Sequence, residues 1–177
     1  DIYAQVGKYQ ALDYAFTTSV TNGLLEISFG GTNPKLNAVR IEALTLDETP
    51  TPTPTLHPEI RVNAGGGSYV DGLGQEWQAD RAYTPGSWGY TAYGNTGVYA
   101  TDSEIAGTVE PGLYKAERYF SRLMGAYIFD VPNGWYEVEL KFAEIFARNP
   151  GERIFAVDGA GQPLLPSLDI AAEAGHN

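Results

Sequence analysis

The run Asp47-Glu-Thr-Pro-Thr-Pro-Thr-Pro-Thr-Leu-His57 limits what this chain can fold into more than any other stretch. Alternating Thr and Pro cannot pack a core, so residues 47–58 are expected to form an extended, solvated linker. The linker separates residues 1–46 from residues 59–177. A piece of 46 residues in a chain with no cysteine is too small to be stable alone, so it reads as a fragment of something larger.

A second feature concerns the ends. Asp1-Ile-Tyr-Ala-Gln-Val-Gly7 opens the chain and Asp169-Ile-Ala-Ala-Glu-Ala-Gly175 closes it, one phrase used twice, which points to a segment of a tandem array.

Strand patterning fills the rest. Leu25, Ile27 and Phe29 alternate with Glu26 and Ser28, and Val39 and Ile41 alternate with Arg40 and Glu42, the period of half-buried strands over 24–29 and 36–44. After the linker, residues 59–63 read as a strand running into Ala64-Gly-Gly-Gly67, where missing side chains permit positive φ and close backbone approach. No Gly-Lys-Ser/Thr follows, which argues against a phosphate loop. Residues 68–116 read as long aromatic-rich loops, the expected seat of function. Residues 126–131 and 135–142, joined by Pro-Asn-Gly, read as a hairpin. With 153–157 and 164–170 the set reaches about eight strands and no amphipathic helix, so the expected fold is an all-β antiparallel sandwich of jelly-roll, galactose-binding-like type.

Charge narrows the partners. A net charge of -11, with 11 dispersed Lys and Arg, argues against nucleic acid and anionic membranes, and no run reaches the length of a membrane span. The Thr-Pro linker suggests an extracellular or cell-surface modular protein. Neither His57 nor His176 is well placed for catalysis, and no Gly-x-Ser-x-Gly is present, so no nucleophilic hydrolase is expected. Asp71, Asp80 and Glu144 could serve a glycosidase or bind calcium, but holding turns and loops through hydrogen bonds accounts for all three. No enzyme activity, metal or cofactor is expected. Arg118 and Lys141 are expected on solvated faces or paired with Glu117 and Glu139.

Val62-Asn-Ala-Gly-Gly, Tyr69-Val-Asp71, Trp77, Asp80, Leu113-Tyr-Lys-Ala-Glu-Arg-Tyr119, Leu140-Lys-Phe-Ala-Glu144 and Leu168-Asp-Ile-Ala-Ala-Glu-Ala-Gly-His176 resemble the malectin and malectin-like carbohydrate-binding family, in order, over nearly all of 59–177. Residues 1–46, with Asp1 to Lys8, the strand 24–29 and Asn33-Pro-Lys-Leu-Asn-Ala-Val-Arg-Ile41, resemble the closing strands of such a module. The resemblance implies that 59–177 is the front and middle of one module and lacks its last strands. Those strands come either from the chain's own first piece, across a linker that reaches ~30 Å when extended, or from a neighbouring copy.

The resemblance further implies a sugar site in which Tyr93, Tyr114 and Phe146 supply rings, with Glu144 beside Phe146. Ala147 stands where the family has a second aromatic, and Thr32 where it has a sugar-binding Asp, departures that should weaken the site. Two functions follow: a non-catalytic module that binds a glucan-type oligosaccharide or cell-surface glycan by aromatic stacking, or a structural repeat of a surface filament or adhesin assembled from copies of the chain by head-to-tail strand exchange.

Overall fold

A computed structural model describes residues 9–44, 59–92, 94–121, 124–147 and 149–174. The opening Asp-Ile phrase, the Thr-Pro linker, Tyr93, His57 and His176 lie outside the described residues.

Alternating side chains produce two amphipathic sheets that bury their apolar faces against each other. One sheet holds β1 (Ala11–Val20), β12 (Gly134–Ala143), β4 (Ala38–Leu44), β5 (Glu59–Asn63), β7 (Glu76–Ala79) and β6 (Tyr69–Val70), in that order. The other holds β14 (Gln162–Leu168), β13 (Phe155–Gly159), β2 (Leu24–Gly31), β11 (Gly125–Asp130) and β8 (Trp88–Ala92). Leu25, Ile27, Phe29, Tyr127, Phe129 and Val157 from the second meet Val39, Ile41, Val62, Val138, Leu140 and Phe142 from the first in one core. A third sheet, β3 (Lys35–Leu36), β10 (Ala116–Ser121) and β9 (Asn95–Ala100), is joined to that core by Phe120, whose ring stacks on Phe29 at 5.8 Å. The chain is thus an all-β sandwich, and every named strand pairing is antiparallel except β5 with β7.

Strands from before residue 47 are interior to both sheets. β2 lies between β13 and β11, and β4 between β12 and β5, so the first piece supplies central strands to the second within one chain. β1 adds the edge, pairing with β12 from Ala11↔Ala143 to Val20↔Gly134.

Several local expectations are corrected. Residues 126–131 and 135–142 are not a hairpin: β11 and β12 belong to opposite sheets, because each has its apolar side turned inward and the Pro-Asn-Gly link crosses the sandwich. Residues 68–116 carry four strands, β6 to β9, rather than loops alone, and the described residues hold fourteen strands rather than about eight. The last strand stops at Leu168. Asp169 then accepts the Ala172 amide as N-cap of a single helical turn, α1 (Ile170–Glu173), which seats Ile170 in the core.

Gly65, in the glycine run, has φ of +75° and sits so close to the Glu117 carbonyl that no β-carbon fits. That close approach ties β5 to β10.

Candidate functional site

The third sheet builds a cleft from its own pleat. Antiparallel register sets Tyr99 opposite Glu117 and Gly97 opposite Tyr119, so these four share one face while Arg118 and Phe120 turn to the other. Phe120 goes to the core. Arg118 packs its guanidinium 3.8 Å from the Tyr90 ring centroid and pairs with Asp80 at 2.8 Å, not with Glu117. Tyr119 and Tyr99 are left facing a cleft of about 290 Å³ lined also by Asn33, Val98, Glu117, Phe146 and Arg153.

Phe146 follows β12 with its neighbours turned inward: Ile145 and Ala147 are buried, while the Phe146 ring is 60% exposed. It meets Tyr99 edge-on, centroids 5.1 Å apart and planes at 83°. Two exposed rings at a right angle form an apolar corner over a polar floor. At the far side Asn33 takes a left-handed φ of +47°, which Asn tolerates better than most residues, and its carbonyl accepts from Arg153 Nη1 at 3.0 Å.

The floor is a chain of buried charges. Lys35 donates to Glu117 (2.7 Å) and to the Ala143 carbonyl. Glu117 lies 3.3 Å from Arg153 Nη2, and Arg153 Nε lies 3.0 Å from Glu144 Oε2, a pairing without the alignment of a hydrogen bond. Two cations and two carboxylates alternate, so the burial of each charge is offset by a partner. Desolvation pulls the Lys35 ammonium below its ordinary pKa, opposed by the Glu117 and Glu144 charges.

Phe146 is in the cleft. Glu144 is beneath it, with Oε1 accepting the amides of Phe146 (2.8 Å) and Ala147 (2.7 Å). Thr32 is exposed beside the cleft and donates its amide to the Ile154 carbonyl (2.9 Å), while the next residue, Asn33, lines the wall. Tyr114 is not brought to this cleft: only 1% exposed, it packs with Trp77 and Leu113, and its hydroxyl donates to Asp13 at 2.6 Å. Tyr93 lies outside the described residues. Tyr99 falls among the aromatic residues of 68–116, the expected seat of function, and Tyr119 ends the Leu113–Tyr119 motif, but neither is in the sugar site that the resemblance implies; the inward Phe120 implies that Tyr119 faces outward.

Asp71 accepts from the Leu73 and Gln75 amides and the Trp77 indole, and Asp80 from Gly65, Arg118 and Tyr127, so both hold loops together. Lys141 pairs with Glu139 (2.6 Å) and Asp13 (2.9 Å). A larger cleft of about 760 Å³ opens on the outer face of the six-stranded sheet, lined by Asp13, Arg40, Arg61, Asp71, Trp77 and Lys141 among others. Trp77, the aromatic residue in that lining, is a poor platform for a sugar because it is buried.

A model described as the Malectin domain matches residues 59–177. Malectin-B of Xenopus laevis is 31% identical over 121 residues, covering 66% of this chain and 40% of the relative, and malectin-A of the same organism matches equally. A probable LRR receptor-like serine/threonine-protein kinase of Arabidopsis thaliana is 26% identical over 171 residues, 85% of this chain and 16% of the kinase. The chain therefore spans well under half the length of the curated relatives it matches. No solved structure matches it.

Proposed function

This chain belongs to the malectin family of carbohydrate-binding domains, and we propose that its cleft at Asn33, Tyr99, Tyr119 and Phe146 binds a glucan-type oligosaccharide as a non-catalytic module of an extracellular, multi-domain protein. The observation that carries this is the pair of exposed rings, Tyr99 and Phe146, set edge-on above a hydrogen-bonding floor. A pyranose offers C–H faces to rings and hydroxyls to directional polar groups, and the cleft supplies both. Ala147 is turned into the protein, and Tyr99, from β9, supplies the cleft with a further ring beside Phe146. No helix among the described residues is long and apolar enough to cross a membrane, and an extracellular place is supported by the Thr-Pro linker and by a receptor-like kinase among the relatives.

Calorimetry with malto- and laminari-oligosaccharides tests the assignment. One of the two series should bind with Kd of about 0.1–1 mM, as suits a shallow polar site. No binding to either, with Tyr119→Ala indistinguishable from the parent chain, overturns it.

A second function is a structural repeat of a surface filament, for which β4 and β2, each central to one of the two sheets, are the strands available for exchange. The same strands offered to a neighbouring copy would join modules head to tail into an open filament. Light scattering that grows with concentration supports that assembly, and a concentration-independent monomer excludes it.

A further inference from the structure

Glu144 is 1% exposed and does not line the cleft, yet it governs the residue that does. Its Oε1 takes the amides of both Phe146 and Ala147, fixing the backbone on each side of the exposed ring from below. Its Oε2 faces Arg153, whose guanidinium also reaches the Asn33 carbonyl and Glu117. Glu117 accepts from Lys35, and Lys35 donates to the carbonyl of Ala143, the residue immediately before Glu144. The contacts close into a buried ring that joins the Phe146 loop, the Asn33 corner and the β10 wall.

We propose that Glu144 is a positioning residue for glycan recognition, with Arg153 as its link to the opposite wall: it sets the angle at which Phe146 meets Tyr99 and the gap between Phe146 and Asn33. This rests on the glycan-binding function above. A ring on a surface loop otherwise samples several rotamers, and a site that must order it on binding loses affinity, whereas a ring held in place beforehand does not. Glu144→Gln keeps a carbonyl oxygen for the two amides but removes the charge facing Arg153. Arg153→Lys keeps the charge but loses the planar fork that spans three partners.

The test is a double-mutant cycle on affinity for the oligosaccharide series that binds, together with the Tyr99–Phe146 ring NOE in the ligand-free protein. Glu144→Gln is expected to lower affinity about tenfold in the parent chain and to leave it unchanged in a Phe146→Ala background, while weakening the NOE in protein that remains folded. Arg153 also lines the cleft, so Arg153→Lys is read through the NOE, which should weaken in the same way and which carries the test if Glu144→Gln does not fold. Equal losses in both backgrounds, or an NOE unchanged by either variant, overturn the proposal. Should the parent chain bind no glucan, the functional assignment fails by itself, and the NOE alone decides whether Glu144 and Arg153 position Phe146.

Discussion

Tyr119 lies across Gly97 on the neighbouring strand, its hydroxyl 2.5 Å from where a β-carbon at position 97 would stand. Gly97 is therefore the space that lets the Tyr119 ring face the cleft. Gly97→Ala meets only the far end of a side chain, so the fold should tolerate it while the ring is displaced. Affinity for glucan oligosaccharide should fall about tenfold, or ~1.4 kcal/mol, with a melting temperature close to that of the parent. Unchanged affinity would remove Tyr119 from the site.

Tyr114 is buried, and its hydroxyl donates to Asp13 rather than reaching the cleft. Tyr114→Phe loses the hydrogen bond to Asp13 and should cost about 1 kcal/mol of stability without changing glycan affinity. Burial raises the Tyr114 phenol far above its ordinary 10.0, aided by the bond to Asp13, and burial raises Tyr127 likewise. The unfolded chain ionises first, so stability is fully present below about pH 10 and falls as pH rises beyond it. Denaturation followed from pH 8 to 11 should show that decline, shallower in Tyr114→Phe. An identical slope in the two proteins would contradict the burial of this phenol.

Asp80 joins three elements, accepting from the Gly65 amide (2.7 Å), Arg118 (2.8 Å) and the Tyr127 hydroxyl (2.9 Å). Asp80→Ala leaves a buried guanidinium without its carboxylate and should cost about 3–5 kcal/mol in urea denaturation, much of the stability of a domain this size. A loss below about 1 kcal/mol would mean that Arg118 finds another partner.

Removing residues 1–46 takes β2 and β4 from the middle of both sheets and exposes the apolar faces they cover. Residues 59–177 alone should express as insoluble protein, and a separately supplied 1–46 peptide should restore a cooperative unfolding transition. A stable, monomeric 59–177 would show that the pairing is dispensable.

Strands with one wet and one dry face were legible in the sequence. Leu25, Ile27 and Phe29 are fully buried beside exposed Glu26, and β12 repeats the pattern. The same signal is present in β1, where Leu12, Tyr14 and Phe16 pack on the core and alternate with exposed Asp13, Ala15 and Thr17. β6 and β9 gave none, because neither strand holds a buried residue and both faces remain wet. Which sheet a strand joins is set by tertiary pairing, so the Pro-Asn-Gly link between β11 and β12 looked like a hairpin turn although it crosses the core. In the site, Phe146 was marked by the motif around it. Tyr99 and Tyr119 come together only through cross-strand register, which no linear spacing displays.

Glycan binding proposed at the Tyr99, Tyr119 and Phe146 cleft is tested residue by residue by following amide chemical shifts during titration with malto- and laminari-oligosaccharides. Saturable shifts should be confined to Asn33, Val98 and Tyr99, Glu117 to Tyr119, and Glu144 to Ala147. Saturable shifts centred instead on Asp13, Trp77 and Lys141, or none with either sugar, would contradict it.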